Sequence, residues 1–233
     1  MTLPRAIDLA RLSLQFSRVE RITRHEDGVR PETDSDHTVM LGIIACDLCP
    51  AGLDRGKVAM FALVHDLLEA ETGDVQTLTI DAAGRQAKAD AEKAAMKTFS
   101  AKYGADSWLM QTLVEYDWQV APEARYVRLL DKVLPKLTHI LNGCVGAKKV
   151  TDWRGFLESH HAQYDALDAE YCMDIWSMPV LDLLGAAMFE AECAWGKCIY
   201  EDCVAEAVYE SPTGVQLCQK HLDEAKAEAG EAA

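Results

Sequence analysis

The sequence predicts an all-α bundle over residues 1–193, followed by a short separate module over residues 194–233. Three observations carry this. Apolar residues recur at helical spacing through the first part, no segment there alternates with period two, and four of the eight cysteines crowd between Cys193 and Cys218.

Taken in order, Leu9, Leu12, Phe16, Val19 and Ile22 form one stripe, which predicts an amphipathic helix over residues 5–23. The polar run HEDGVRPETDSD (25–36), with Gly28 and Pro31, is expected to be a loop. A second helix, capped by Ser35 or Asp36, runs to Pro50 with Val39, Met40 and Ile43 on its buried side. A third spans residues 55–70 and stops before Thr72-Gly73-Asp74. Further helices are expected over 83–102, 106–120, 122–141 with a kink at Pro135, 156–172 and 179–193.

The formal net charge of −15 disfavours binding to duplex nucleic acid, because an acidic surface repels the phosphate backbone. A small anionic substrate then requires a focused site where metal, Arg or Lys neutralises phosphate. No window reaches the ~20 apolar residues of a membrane span, and the opening MTLPRAIDLARLSLQF is too polar for a signal peptide. A cytoplasmic protein is expected (host cytoplasm if phage-encoded), its cysteines reduced or metal-bound.

His65-Asp66 lies in an apolar run, where an imidazole and a carboxylate are costly unless paired or metal-bound. Alone the dipeptide says little. His37, opening the preceding helix, and Asp131, in YVRLLDKVLPKL, are two more polar residues in apolar helical runs. Three helices would thus bring His37, His65, Asp66 and Asp131 to one centre, a ligand set suited to Zn, Co, Mn or Fe.

This H…HD…D pattern resembles the HD-domain phosphohydrolases. The run His65-Asp66-Leu67-Leu68-Glu69-Ala70-Glu71-Thr72-Gly73-Asp74, the stretch from Arg30 through PETDSD to His37, and Asp131-Lys132 resemble the small 5′-deoxynucleotidases and their phage dATP triphosphohydrolase relatives, over residues 5–142. Those deoxynucleotidases carry an Arg-Trp pair after the first helix; the nearest match here is Arg24-His25.

Phosphate-ester hydrolysis needs an activated water, neutralised phosphate oxygens and help for the leaving oxygen. Glu69, one turn from His65, is the candidate for orienting or deprotonating water or protonating the leaving group. Asp74 is the candidate for the sugar 3′-hydroxyl or a second metal. Arg24 or Arg30 would clamp phosphate bidentately, Lys132 would assist, and Arg85 and Lys88 would meet β- and γ-phosphates. The plainer alternatives are helix-end charges for Glu69 and Glu71, a turn residue for Asp74, loop charges for the arginines and solvated lysines. His139, His160 and His161 have no assigned role, and Cys46 and Cys49 read as small core residues.

In the last segment, Cys198-x4-Cys203-x14-Cys218-x2-His221 has the spacing of a small structural zinc site, with Cys193 as a possible substitute in the first pair. VAEAVYESPTGVQL between them reads as two short strands around a Pro-Thr-Gly turn. The segment resembles a zinc knuckle, and too little apolar surface is present to fold it without metal.

The expected function is hydrolysis of deoxyribonucleotides by a homo-oligomer, leaning to a dATP-type triphosphohydrolase. The alternatives are a 5′-deoxynucleotidase acting on monophosphates and, in another class, a binding module whose HD site is vestigial. Another HD activity, on cyclic nucleotides or guanosine tetraphosphate, lacks its additional motifs here.

Overall fold

The computed structural model describes residues 2–78, 80–195, 209–210, 216–217 and 220. Among these the chain is helical with two small hairpins, the all-α architecture expected from its periodicity.

Helix α1 (Leu3–Phe16) buries Leu12 and Phe16 but stops well short of residue 23. Val19 and Ile22 continue its spacing, yet they lie in or beside a strand, β1 (Glu20–Arg24), paired antiparallel with β2 (Pro31–Thr33). The β-branched residues Ile22 and Thr23 suit an extended chain. The connection also carries a Asp-Gly turn signal: Asp27 Oδ1 accepts from the N–H groups of Val29 (2.8 Å) and Arg30 (3.0 Å), and Gly28 sits at φ +68°. What reads as a helix end plus loop is therefore a hairpin.

Helix α2 (Asp34–Asp47) is capped by Thr33 in a reciprocal arrangement with Asp36, not by Ser35 or Asp36 alone. Its buried face is Asp34, His37, Thr38, Leu41 and Ala45, whereas Val39 and Ile43 are exposed. Helix α3 (Arg55–Val64) packs against α2 and α7 (Pro122–Asp131). It does not run on to residue 70. Residues 65–68 tighten into turns, with Leu67 N–H donating to Val64 O (3.1 Å) and Glu69 N–H to Asp66 O (2.8 Å), before the four-residue α4 (Glu69–Thr72). Gly73, at φ +73°, then reverses the chain and delivers Asp74.

Helices α5 (Ala82–Tyr103) and α6 (Trp108–Trp118) pack with α1 around Phe16, Phe99, Tyr103 and Leu113. Where a kinked helix was expected, α7 ends at Asp131 and α8 (Leu134–Asn142) starts anew, because Pro135 has no N–H for a continuous ladder. Helices α9 (Trp153–Tyr171) and α10 (Ser177–Ala194) complete the bundle, and the largest apolar core joins Leu41, Phe61, Val127, Leu134, Tyr171 and Leu184. Cys46 and Cys49 pack at the edge of that core. No helix among the described residues is long and apolar enough to cross a membrane.

Strands β3 (Tyr209–Glu210) and β4 (Gln216–Leu217) pair antiparallel within the segment read as two short strands. The expected zinc ligands Cys198, Cys203, Cys218 and His221 lie outside the described residues.

Candidate metal centre and its cavity

Four expected ligands meet where helices begin or end. His37 lies in the first turn of α2, His65 and Asp66 in the turn after α3, and Asp131 at the last residue of α7. One donor atom from each lies within 4.8 Å of all the others. The break after Val64 matters here: it lets adjacent His65 and Asp66 face the same point.

The imidazoles are oriented from behind. His65 Nδ1 donates to Ala62 O (2.8 Å), which leaves Nε2 with its lone pair towards the cluster. That nitrogen is 3.0 Å from Asp66 Oδ2 but without hydrogen-bond geometry, so it is a buried polar atom lacking a partner. A lone pair facing two carboxylates is what a cation would satisfy. His37 Nδ1 contacts Glu32 Oε1 at 3.2 Å, and its Nε2 lies 2.7 Å from Asp131 Oδ1. Glu32 is itself buried and accepts from Thr138 Oγ1 at 3.4 Å.

Electrostatics agree with a cation-seeking centre. Burial opposes charge on His37, yet the hydrogen bonds to Asp131 and Glu32 raise it to about 9. Burial likewise opposes ionisation of Asp131 and Asp66, but Lys132 and His37 hold the first, and His65 the second, below the usual carboxylate range. The donor set, two imidazoles and two ionised carboxylates in a closed corner, fits a divalent transition ion.

Beside the cluster lies a cavity of about 120 Å³ that Asp66 and Asp131 line. Of the other expected residues, Glu69, Asp74, Lys88 and Lys132 line it. Glu69 is buried, bonded to Lys88 Nζ through Oε1 (2.8 Å), and its Oε2 has no hydrogen-bond partner. Burial, with Asp66 nearby, pushes its carboxyl up to about 9 against the pull of Lys88. Lys132 Nζ lies 2.6 Å from Asp131 Oδ2. Burial also raises Asp74, with Arg21 and Lys88 pulling the other way.

Three expected residues are not brought to this cavity. Arg24 bonds weakly to Val29 O (3.5 Å), Arg30 is exposed on the hairpin, and Arg85 bonds to Ile80 O (2.8 Å) beside a neighbouring groove. Arg21 takes their place, with Nη1 3.1 Å from Asp66 Oδ2, 3.2 Å from buried Asp34 Oδ1 and 4.0 Å from Glu69 Oε2. The helical reading hid it. In a helix Arg21 and Arg24 would share a face, whereas the extended, irregular β1 brings Arg21 to the cavity and leaves Arg24 beside Val29 O. Glu32, Lys136 and Gln163 are also residues that the sequence did not single out. Glu32 precedes His37 by an odd five residues across a cap, and the last two arrive from α8 and α9, beyond the H…HD…D pattern.

An HD-domain family model matches residues 15–169. The 5′-deoxynucleotidase HDDC2 of Homo sapiens is 30% identical over 133 residues, covering 53% of this chain and 64% of that protein. A 5′-deoxynucleotidase of Saccharomyces cerevisiae, YBR242W, is 30% identical over 132 residues, 51% of this chain and 52% of that protein. The chain thus spans less than two thirds of the length of these curated relatives. In fold it is similar to a crystal structure described as a predicted metal-dependent phosphohydrolase of Magnetospirillum magnetotacticum MS-1, with TM-score 0.59, 17% identity and coverage of 82% of this chain and 97% of that one. A protein of Pyrococcus horikoshii OT3 gives TM-score 0.51 at 21% identity, covering 79% of this chain and 99% of that one. The family model spans the helices and the hairpin that assemble the two-His, two-Asp corner, and the chain belongs to the HD-domain family.

Proposed function

We propose that the chain is a metal-dependent phosphohydrolase that releases phosphate from 2′-deoxyribonucleoside 5′-monophosphates. The observation that carries this reading is the His37–His65–Asp66–Asp131 corner, with donor atoms within 4.8 Å, whose two carboxylates line a cavity together with Arg21, Lys88 and Lys132. A divalent ion held by those four side chains supplies charge neutralisation at phosphate and acidifies a water. Arg21 and Lys132, each beside a ligand carboxylate, bind phosphate oxygens. Glu69, with its unpartnered Oε2, exchanges a proton with the attacking water or the leaving oxygen. Asp74 accepts a hydrogen bond from a sugar hydroxyl.

The monophosphate reading is supported by relatives named 5′-deoxynucleotidases and by the position of Arg85 outside the cavity. The triphosphate reading, dATP above all, keeps one supporting observation: Lys88 lines the cavity at its Glu69 wall. A Co²⁺- or Mn²⁺-supplemented assay over dNMPs, dNTPs and NTPs, with product identification, tests both. Single phosphate release supports the first, triphosphate release the second, and silence across the panel revives a binding module.

We further propose that residues 194–233 form a zinc-binding module on Cys198, Cys203, Cys218 and His221, supported by their spacing. Metal analysis of the Cys203→Ser/Cys218→Ser chain should show loss of zinc with the HD-site metal retained. Exposed Val39, Ile43, Leu63 and Trp108 support a homo-oligomer, which light scattering tests.

A further inference from the structure

The end of the cavity away from the metal corner has its own chemistry. Lys136, on α8, is buried, and its Nζ donates to Gln163 Oε1 on α9; no ion pair joins it to a carboxylate among the described residues. A lysine ammonium can only donate, so this bond settles which way the Gln163 amide points. The oxygen faces Lys136 and the NH2 is left for the cavity. Lys136 retains two further N–H groups. Lys136 and Gln163 therefore present hydrogen-bond donors to this corner, and Ser159, one turn from Gln163, lines it with them.

Its place also distinguishes it from the phosphate end. Arg21 and Lys132 lie 3.1 and 2.6 Å from the corner carboxylates of Asp66 and Asp131, and Lys88 lies 2.8 Å from Glu69. Lys136 lies beyond the break between α7 and α8, four residues after Lys132. Ser159 and Gln163 also line the neighbouring outer groove, so they stand at the mouth. On the deoxynucleotide reading, a phosphate held at the corner leaves this mouth as the side that Ser159 and Gln163 offer to the base.

We propose that Lys136 locks Gln163 so that the two read the carbonyl edge of the nucleobase, making 6-oxopurine and 4-oxopyrimidine deoxynucleotides preferred over their amino counterparts. This rests on the deoxynucleotide reading above. An exocyclic amino group would meet the Lys136 ammonium and the Gln163 NH2, neither of which can accept its protons, the mismatch that buried polar sites reject most strongly. Lys136 and Gln163 are specificity residues: neither touches the reacting phosphate.

The test compares kcat/KM for dGMP, dTMP, dUMP, dAMP and dCMP with metal-replete enzyme. Wild type should favour dGMP over dAMP, and dTMP or dUMP over dCMP, by about tenfold or more. Lys136→Met frees the amide to rotate and should bring these ratios to within about threefold, Lys136→Arg should keep the preference, and Gln163→Glu should favour amino bases. Ratios near one in wild type, or ratios unchanged in Lys136→Met, overturn the proposal. So does a Lys136→Met defect confined to triphosphates, which would make the corner a phosphate subsite. If no deoxynucleotide is hydrolysed, the functional reading fails by itself. The subsite is then judged by thermal shifts with deoxyguanosine and deoxyadenosine, which need no turnover: a guanosine preference lost in Lys136→Met supports it, and equal shifts overturn it.

Discussion

Glu32 gives the sharpest test of how the metal corner is built. Its Oε1 lies 3.2 Å from His37 Nδ1, it is 3% exposed, and Thr138 holds its other oxygen. The carboxylate fixes the ring so that Nε2 points at Asp131, and it makes the imidazole a stronger donor to a cation. Removing such an outer partner costs roughly 10–100-fold in metal affinity, or about 1.4–2.7 kcal/mol. Glu32→Gln keeps the acceptor oxygen without the charge and should fall near the lower end; Glu32→Leu loses both and should fall near the upper end. Competition for Co²⁺ against a chromophoric chelator measures each Kd, with circular dichroism to confirm the fold. A folded Glu32→Leu protein binding Co²⁺ within about twofold of wild type would refute the orienting role, because the loss should lie in the 10–100-fold range.

Other outcomes follow from the same geometry. Asp66→Ala should lose both the corner's metal and turnover; an active, metal-replete variant would sink the assignment. Arg21→Ala leaves fully buried Asp34 without its cation and should cost about 3–5 kcal/mol in urea unfolding, much of it recovered by adding Asp34→Asn; no recovery would show that the pair is not the cause. Burial, then Lys136 and His160, push His139 down to about 3 while Glu32 opposes them, so the native state refuses a proton that the unfolded chain takes near 6.5. Stability should therefore fall as pH drops from 6.5 towards 3, at up to ~1.4 kcal/mol per pH unit from this group. His139→Phe should flatten that part of the melting profile, and an unchanged slope would count against it. Lys88→Ala should slow turnover far more than Arg85→Ala, since Lys88 alone of the two lines the cavity; equal effects would argue against that difference.

The sequence by itself determined the helical class and pointed to His37, His65, Asp66 and Asp131, the four residues that the fold gathers. Helical periodicity depends on local spacing, and a His or Asp set in an apolar run declares a cost that needs a partner. The local signals for the hairpin were also present, in Asp27-Gly28 and the β-branched Ile22 and Thr23, but the stripe from Leu9 to Ile22 concealed them. Only the tertiary structure decided which cations and outer partners serve the corner. Arg21 lines the cavity in place of Arg24 because an extended segment turns side chains differently from a helix, and Arg30 stays exposed on the hairpin connection. Glu32 reached His37 across a cap, and Lys136 met Gln163 from another helix, 27 residues away. Such pairings are set by how elements dock, and docking depends on surfaces assembled from distant parts of the chain, which no single window of sequence contains.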